Sequence, residues 1–412
     1  MRYFVPLWLG VLALLGITHA QTITVATHYP PESIAILEPC FATYEEQNGV
    51  QIEHQQITYG DYLQTILTSR LGGQSPDIYH VYSIWGAQLV ENSILAEPPE
   101  NIISFVQNSY VDNTVDAATI QDQLWGVPTE VSNYMLIYNK KLLQEAGYDA
   151  PPTTWAELQE VAQAATKTND QGQITQAGFA AGDTTAEVVH PYLTLLYSKG
   201  MDLFTEDFSA TNLNTPEALE ALQQQVSLFE ANAATPSLTV DDFNSGQVAM
   251  EIQPVWLESQ LQAAFGDQFQ ETVGVAPIPQ GENWRSLQYA FFYAVDNNSD
   301  VQDEAWAFLE WLNTSQAEGE PSCMGQMLVD LGALTANQTD IQNAQGELGD
   351  FFTAPFAEAL DRSITEPNVV QASEIERILQ TYIERAWRGE LAPEEALSRA
   401  DSEISNILAE YY

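Results

Sequence analysis

The chain reads as an α/β protein built of two lobes, and three observations predict this. Short β-rich segments alternate with one-sided helices, the pattern of βαβ units and a mostly parallel sheet. The alternation recurs in the later part of the chain, which suits two lobes better than one sheet across 412 residues. Hydrophobic residues make up 45 % of the chain, so a large core can form although 57 Asp and Glu face only 12 Lys and Arg. A disordered acidic protein would hold far less apolar surface.

The first strand is Ile23-Thr24-Val25-Ala26-Thr27, running into a His28-Tyr29-Pro30-Pro31 turn. A helix is expected from about Glu32 to Gln47, stopped at Asn48-Gly49. A strand over 51–57 follows, carrying Ile52 and Ile57. Leu63, Ile66, Leu67 and Leu71 then fall on one helix face before Gly72-Gly73. The third strand covers 77–82. Later strands are expected at 135–138, 247–252, 273–277 and 291–295. Thr154-Trp155-Ala156-Glu157 reads as a capping box opening a helix to about Ala165, and Ser299-Asp300-Val301-Gln302 as a second one. Its helix carries Ala305, Trp306, Phe308, Leu309 and Leu312. Pro393 starts the last helix, with Leu397, Ala400, Ile404, Ile407 and Leu408 on one face.

Arg2, an apolar run from Phe4 to Ile17 and Thr18-His19-Ala20 have the order of a secretory signal peptide, with cleavage after Ala20. The run is short for a membrane span. No cysteine stands near the cleavage point, so no lipid anchor is expected. Loss of the signal takes away Arg2 and leaves 57 acids against 11 bases, or −46, on an exported chain. Such a surface repels nucleic acid and anionic membranes, and it suits a salty or acidic habitat. Two cysteines remain, Cys40 and Cys323; an oxidising compartment allows them to pair, but the sequence does not show proximity. The mature histidines His28, His54, His80 and His190 are scattered, and no CxxC or HExxH spacing occurs, so neither a metal site nor a cofactor is expected.

Several stretches carry a family likeness in order: Gly72-Gly73-Gln74-Ser75-Pro76-Asp77-Ile78 with Trp85; Leu124-Trp125-Gly126-Val127-Pro128 leading to Ile137-Tyr138-Asn139-Lys140; and Pro151-Pro152-Thr153-Thr154-Trp155. Phe243-Asn244-Ser245-Gly246-Gln247-Val248-Ala249-Met250 to Trp256, Val273-Gly274-Val275-Ala276-Pro277, and Gly389-Glu390-Leu391-Ala392-Pro393-Glu394-Glu395-Ala396-Leu397 complete the series. Together they span nearly all the mature chain. It resembles the extracellular solute-binding proteins of ABC importers, family 1, in the maltose-binding-like branch. The resemblance implies a two-lobed periplasmic-binding-protein fold with discontinuous lobes and a hinge, and no enzymatic activity. It places lobe one at 21–132 plus 277–360 and lobe two at 133–276 plus 361–412. Cys40 and Cys323 then share a lobe. It also implies a periplasmic or extracellular monomer that delivers its ligand to a membrane permease and its ATPase.

Sugar recognition needs flat apolar faces for C–H patches and polar groups for hydroxyls. Candidates at strand ends are Tyr29, Tyr82, Ser83, Trp85, Glu130 and Ser132 from the first lobe. His190, Tyr192, Gln253 and Trp256 come from the second, with Tyr289 and Asn368 added. Trp256 leads, because the matching family position ends a strand facing the cleft. Few cations stand near these residues, Arg70 and Arg285 among them, which favours a neutral mono- or oligosaccharide. A cationic solute such as a polyamine is the alternative, if carboxylates such as Glu130 and Asp183 point into the cleft. A secreted glycoside hydrolase would need two placed carboxylates, and in so acidic a chain such pairs carry no signal.

Overall fold

The computed structural model describes residues 21–412, and the expected signal peptide lies outside them. The chain opens with β1 (Gln21–Thr27), α1 (Pro31–Asn48) and β2 (Val50–Gln56), then α2 (Tyr62–Gly72) and β3 (Ile78–Tyr82). Both helices end where the paired glycine signals fall: Gly49 and Gly73 adopt φ of 69° and 65°, a left-handed conformation that costs other residues a Cβ clash. β1 pairs in parallel with β2 on one side and β3 on the other, which is the expected βαβ geometry.

The rest of the sheet departs from a mostly parallel arrangement. β4 (Val127–Asn139) is thirteen residues long, and β5 (Met250–Pro254), β6 (Val273–Ala276), β7 (Ser286–Val295), β8 (Leu334–Thr335) and β9 (Ser363–Thr365) complete nine strands. β7 runs antiparallel to β3 and to β4, and β5, β6 and β8 are antiparallel to β4. Among these later strands, β9 beside β7 makes the parallel pair. The reason is the route: strands that leave one lobe and return from the other reverse direction, which no local periodicity records.

β4 is the crossing element. Its residues 127–133 pair with β7, whereas Tyr134 to Asn139 pair with β5 and β6. The change of partners falls between Asn133 and Tyr134. Gly126, just before β4, sits so close to β7 that a Cβ there would meet the Tyr293 carbonyl oxygen at 2.3 Å; this glycine lets the two backbones approach.

The second lobe adds α3 (Trp155–Ala165), α4 (Thr185–Ser198) and α5 (Pro216–Glu230). The Thr154–Glu157 capping box forms as read. After β7 come α6 (Gln302–Leu312) and α7 (Cys323–Leu331), and the chain ends with α8 (Ala372–Trp387) and α9 (Pro393–Tyr411). The Ser299 capping box does not form. Asp77 accepts the Ser299 hydroxyl at 2.7 Å, and α6 starts only at Gln302 with Val301 at its N-cap. A partly buried carboxylate on a neighbouring segment thus captures the would-be cap. Cys40 of α1 and Cys323 of α7 are joined by a disulfide. No helix among the described residues is long and apolar enough to cross a membrane.

Candidate functional site

The ends of β1, β3, β4 and β7 bring aromatic rings into one wall. His28 stacks on His80 at 5.1 Å and on Phe291 at 4.7 Å. Tyr82 stacks on Phe291 at 5.0 Å and meets Trp85 at 5.5 Å and Tyr289 at 5.8 Å edge-on. Tyr59 leans on Trp85 at 5.4 Å, and Tyr134 and His190 extend the wall beyond Tyr289, each 6.2 Å from it. Phe291 reaches this wall because the β4–β7 register shifts between Ala290 and Phe292; such an irregularity re-aims one side chain.

Tyr59 is 47 % exposed and Trp256 40 % exposed, two of the four large apolar residues left open among the described residues. Trp256 lies in the turn after β5, where it flanks the Tyr289 phenol together with Ser132. An exposed aromatic face set beside hydroxyls and carboxyls is the arrangement that accepts a sugar ring.

Polar groups sit behind the rings. Tyr29 donates to Glu130 Oε2 at 2.6 Å. Burial pushes the Glu130 carboxyl up to about 7, against which the Tyr29 bond works. The neighbouring phenols Tyr29, Tyr289 and Tyr293 are held un-ionised, and burial lowers His80 well below its usual range, so it stays neutral. Because the folded protein binds this proton more tightly than the unfolded chain, Glu130 adds stability below about pH 4.5, which is lost as pH rises through 7. Melting curves of wild type and Glu130→Gln are expected to show this: the wild-type advantage shrinks across that window. A pH-independent difference would refute it.

At the far end of the wall, His190 of α4 stands between Glu366, just after β9, and Glu376 of α8. Its Nε2 is 3.1 Å from Glu366 Oε1 and 3.3 Å from Glu376 Oε1. Tyr134 meets its Nδ1 at 2.6 Å, and Tyr82 donates to Glu366 Oε2 at 2.5 Å. Burial disfavours an imidazolium here, but the two carboxylates outweigh it and raise His190 to about 10. Burial, then repulsion from Glu366, pushes Glu376 up to about 8.

The structure therefore gathers Tyr29, Tyr82, Trp85, Glu130, Ser132, His190, Tyr289 and Trp256 around one wall. Ser83 is fully buried beneath it, its hydroxyl without a hydrogen-bond partner. Gln253 points elsewhere, into a small cavity lined also by Glu251, Gln225 and Trp387. Tyr192 is a core residue, wholly buried, its hydroxyl turned to the Ala218 carbonyl. Asn368 accepts from the Ala87 amide at the start of the helix Gly86–Glu91. Asp183 is exposed, in the segment just before α4. Sequence reasoning missed Tyr59, Tyr134, Phe291, Glu366 and Glu376. Nothing in a chain of 57 acids singles out those two glutamates.

Two α/β lobes sharing a crossing strand, with an aromatic and polar wall where its partners change, define a binding protein of the kind that closes on a solute. A family model described as bacterial extracellular solute-binding protein matches residues 29–319. The chain belongs to that family. A binding protein of Brucella abortus (strain 2308) is 26 % identical over 317 residues, 74 % of this chain and 75 % of its own. The maltodextrin-binding protein MdxE of Bacillus subtilis (strain 168) is 22 % identical over 395 residues, 91 % of this chain and 88 % of its own. Among solved structures, the GacH receptor of Streptomyces glaucescens superposes with a TM-score of 0.80 at 19 % identity, covering 96 % of this chain and all of that one.

Proposed function

We propose that the wall binds a neutral mono- or oligosaccharide between the lobes, and that the loaded protein delivers it to the permease of an ABC transporter whose ATPase drives uptake. The protein acts as a monomer in the periplasm or outside the cell, exported by its signal peptide. The observation that carries this is the open face of Trp256 beside the Tyr289 phenol, which continues through Tyr82 to the exposed Tyr59. The names of relatives support the ligand class, since one binds maltodextrin and GacH was solved with acarbose.

We keep for the lobes the boundaries read from sequence, 21–132 and 277 onward against 133–276 and the C-terminal helices, with one change. Phe351 and Phe352 pack on Phe269 at 5.0 and 5.6 Å, and Thr353 bonds Glu258 at 2.9 Å. We therefore place the final crossing before Ala344 instead of after 360. The hinge then comprises β4 near Asn133 and its neighbours.

Titration calorimetry against a panel of neutral sugars tests the ligand class. Trp256→Ala is expected to weaken binding about tenfold or more, the loss of roughly 1.5–3 kcal/mol of buried aromatic surface, with melting unchanged because Trp256 is exposed. Small-angle scattering should show compaction with ligand. Tight binding of a charged solute and of no neutral sugar would overturn the reading. A cationic solute is the second reading, favoured by Glu130, Glu366 and Glu376 standing at the wall. The imidazolium of His190 already offsets one of these charges, which is why the neutral sugar is preferred.

A further inference from the structure

We propose that His190, Glu366 and Glu376 form a three-ligand site for Zn²⁺ at the inner end of the wall. This goes beyond sugar binding and stands without it. The His190 Nε2 and one carboxylate oxygen from each glutamate all lie within 4.8 Å of one another. The Nε2 separations of 3.1 and 3.3 Å matter most. A tetrahedral zinc with bonds of about 2.0–2.2 Å separates its ligand atoms by roughly 3.3–3.6 Å. The two separations from Nε2 therefore stand within a few tenths of an ångström of a coordination shell, and the two carboxylate oxygens lie within 4.8 Å of each other.

A second observation points to a ligand. Glu366 is buried, and its Oε1 makes no aligned hydrogen bond, only the ion-pair approach of His190 Nε2 at 3.1 Å. The outer shell is arranged as metal ligation requires. Tyr134 Oη can accept the proton of Nδ1, so that an entering Zn²⁺ would displace only the Nε2 proton of the imidazolium. Tyr82 occupies Glu366 Oε2 and leaves Oε1 open. Such partners orient ligands and fix the histidine tautomer. Charge agrees as well: once Zn²⁺ has displaced the imidazolium proton and any proton on Glu376 into solvent, two carboxylates and a neutral imidazole balance the dication, the condition for burying all three. One nitrogen and two oxygens suit zinc, whereas Ca²⁺ and Mg²⁺ require six or more oxygen ligands. The fourth position would take water or, if the sugar reading holds, a ligand hydroxyl. Sequence spacing hides the set, because 176 and 186 residues separate His190 from its partners.

The test uses the whole exported protein, stripped with a chelator. Titration with Zn²⁺ alone is expected to show one equivalent bound and a raised melting temperature. Glu376→Gln and His190→Gln should weaken that binding at least 100-fold, and Tyr134→Phe about tenfold. Co²⁺ in the wild type should give the intense visible absorption of a four-coordinate site, a readout that requires no variant to fold. Absence of that absorption, or Zn²⁺ affinity unchanged in both ligand variants, would overturn the site. Failure of the sugar panel with zinc bound would sink the sugar reading alone.

Discussion

Replacing both Cys40 and Cys323 with serine is expected to cost about 5 kcal/mol of stability. The disulfide closes a loop of 283 residues, which spans β4, both central crossings and the whole of α3 to α5. Cross-linking so long a loop removes much of the entropy of the unfolded chain, and the chain-entropy model gives roughly 5 kcal/mol for it, with typical measured values of 2–5. Both cysteines are only partly buried, so serine adds little desolvation cost in the folded state. The effect therefore acts through the unfolded ensemble, and α1 should keep its place against α7. Urea unfolding of the double variant, and of wild type with reductant, would show the midpoint fall together. A difference under about 1 kcal/mol would contradict the entropy argument. Sugar affinity should stay the same, since neither cysteine belongs to the wall.

The elements whose cause is local were legible in the sequence. The glycine at the end of α1 and the Thr154 capping box satisfy backbone groups within a few residues, and Pro393 at the start of α9 brings no N–H that would need a partner. Ser299 shows the limit: its hydroxyl obeys Asp77, 222 residues away in sequence. Site candidates divide in the same way. Tyr82, Trp85 and Trp256 follow strands whose ends could be read, so position along the chain implied position in space. Tyr192 and Gln253 failed that inference, because a helix face or strand face turned them inward. Glu366 and Glu376 carried no signal at all. Their significance comes from His190, and only the fold of the second lobe joins them.

Net charge is the feature that composition exaggerated. Of the ion pairs, Arg377–Glu374, Arg388–Glu384 and Arg399–Glu395 join helix neighbours at the surface, where such pairs contribute little. Most acids therefore solvate the lobes, and the electrostatics that matter are confined to a few buried carboxylates.

Arg70 makes that contrast measurable. It sits in the last turn of α2, its side chain 17 % exposed, and pairs with Asp296, which is 1 % exposed at the end of β7. The guanidinium also donates to the Ser93 carbonyl at 3.0 Å. Asp296 accepts further from the Tyr79 hydroxyl at 2.5 Å and the Asn298 amide at 2.6 Å. Arg70→Met is expected to cost about 3–5 kcal/mol, because it strands a buried carboxylate whose other donors are neutral. Arg388→Met, which breaks an exposed pair, should cost less than about 1 kcal/mol. Adding Asp296→Asn to Arg70→Met should recover a large part of the loss, since the amide removes the charge while keeping an acceptor for Tyr79. Chemical denaturation of the four proteins decides the matter. Equal losses for the two arginines would mean that burial does not govern these pairs, and no recovery in the double variant would mean that Arg70 acts through its carbonyl contacts instead of its charge.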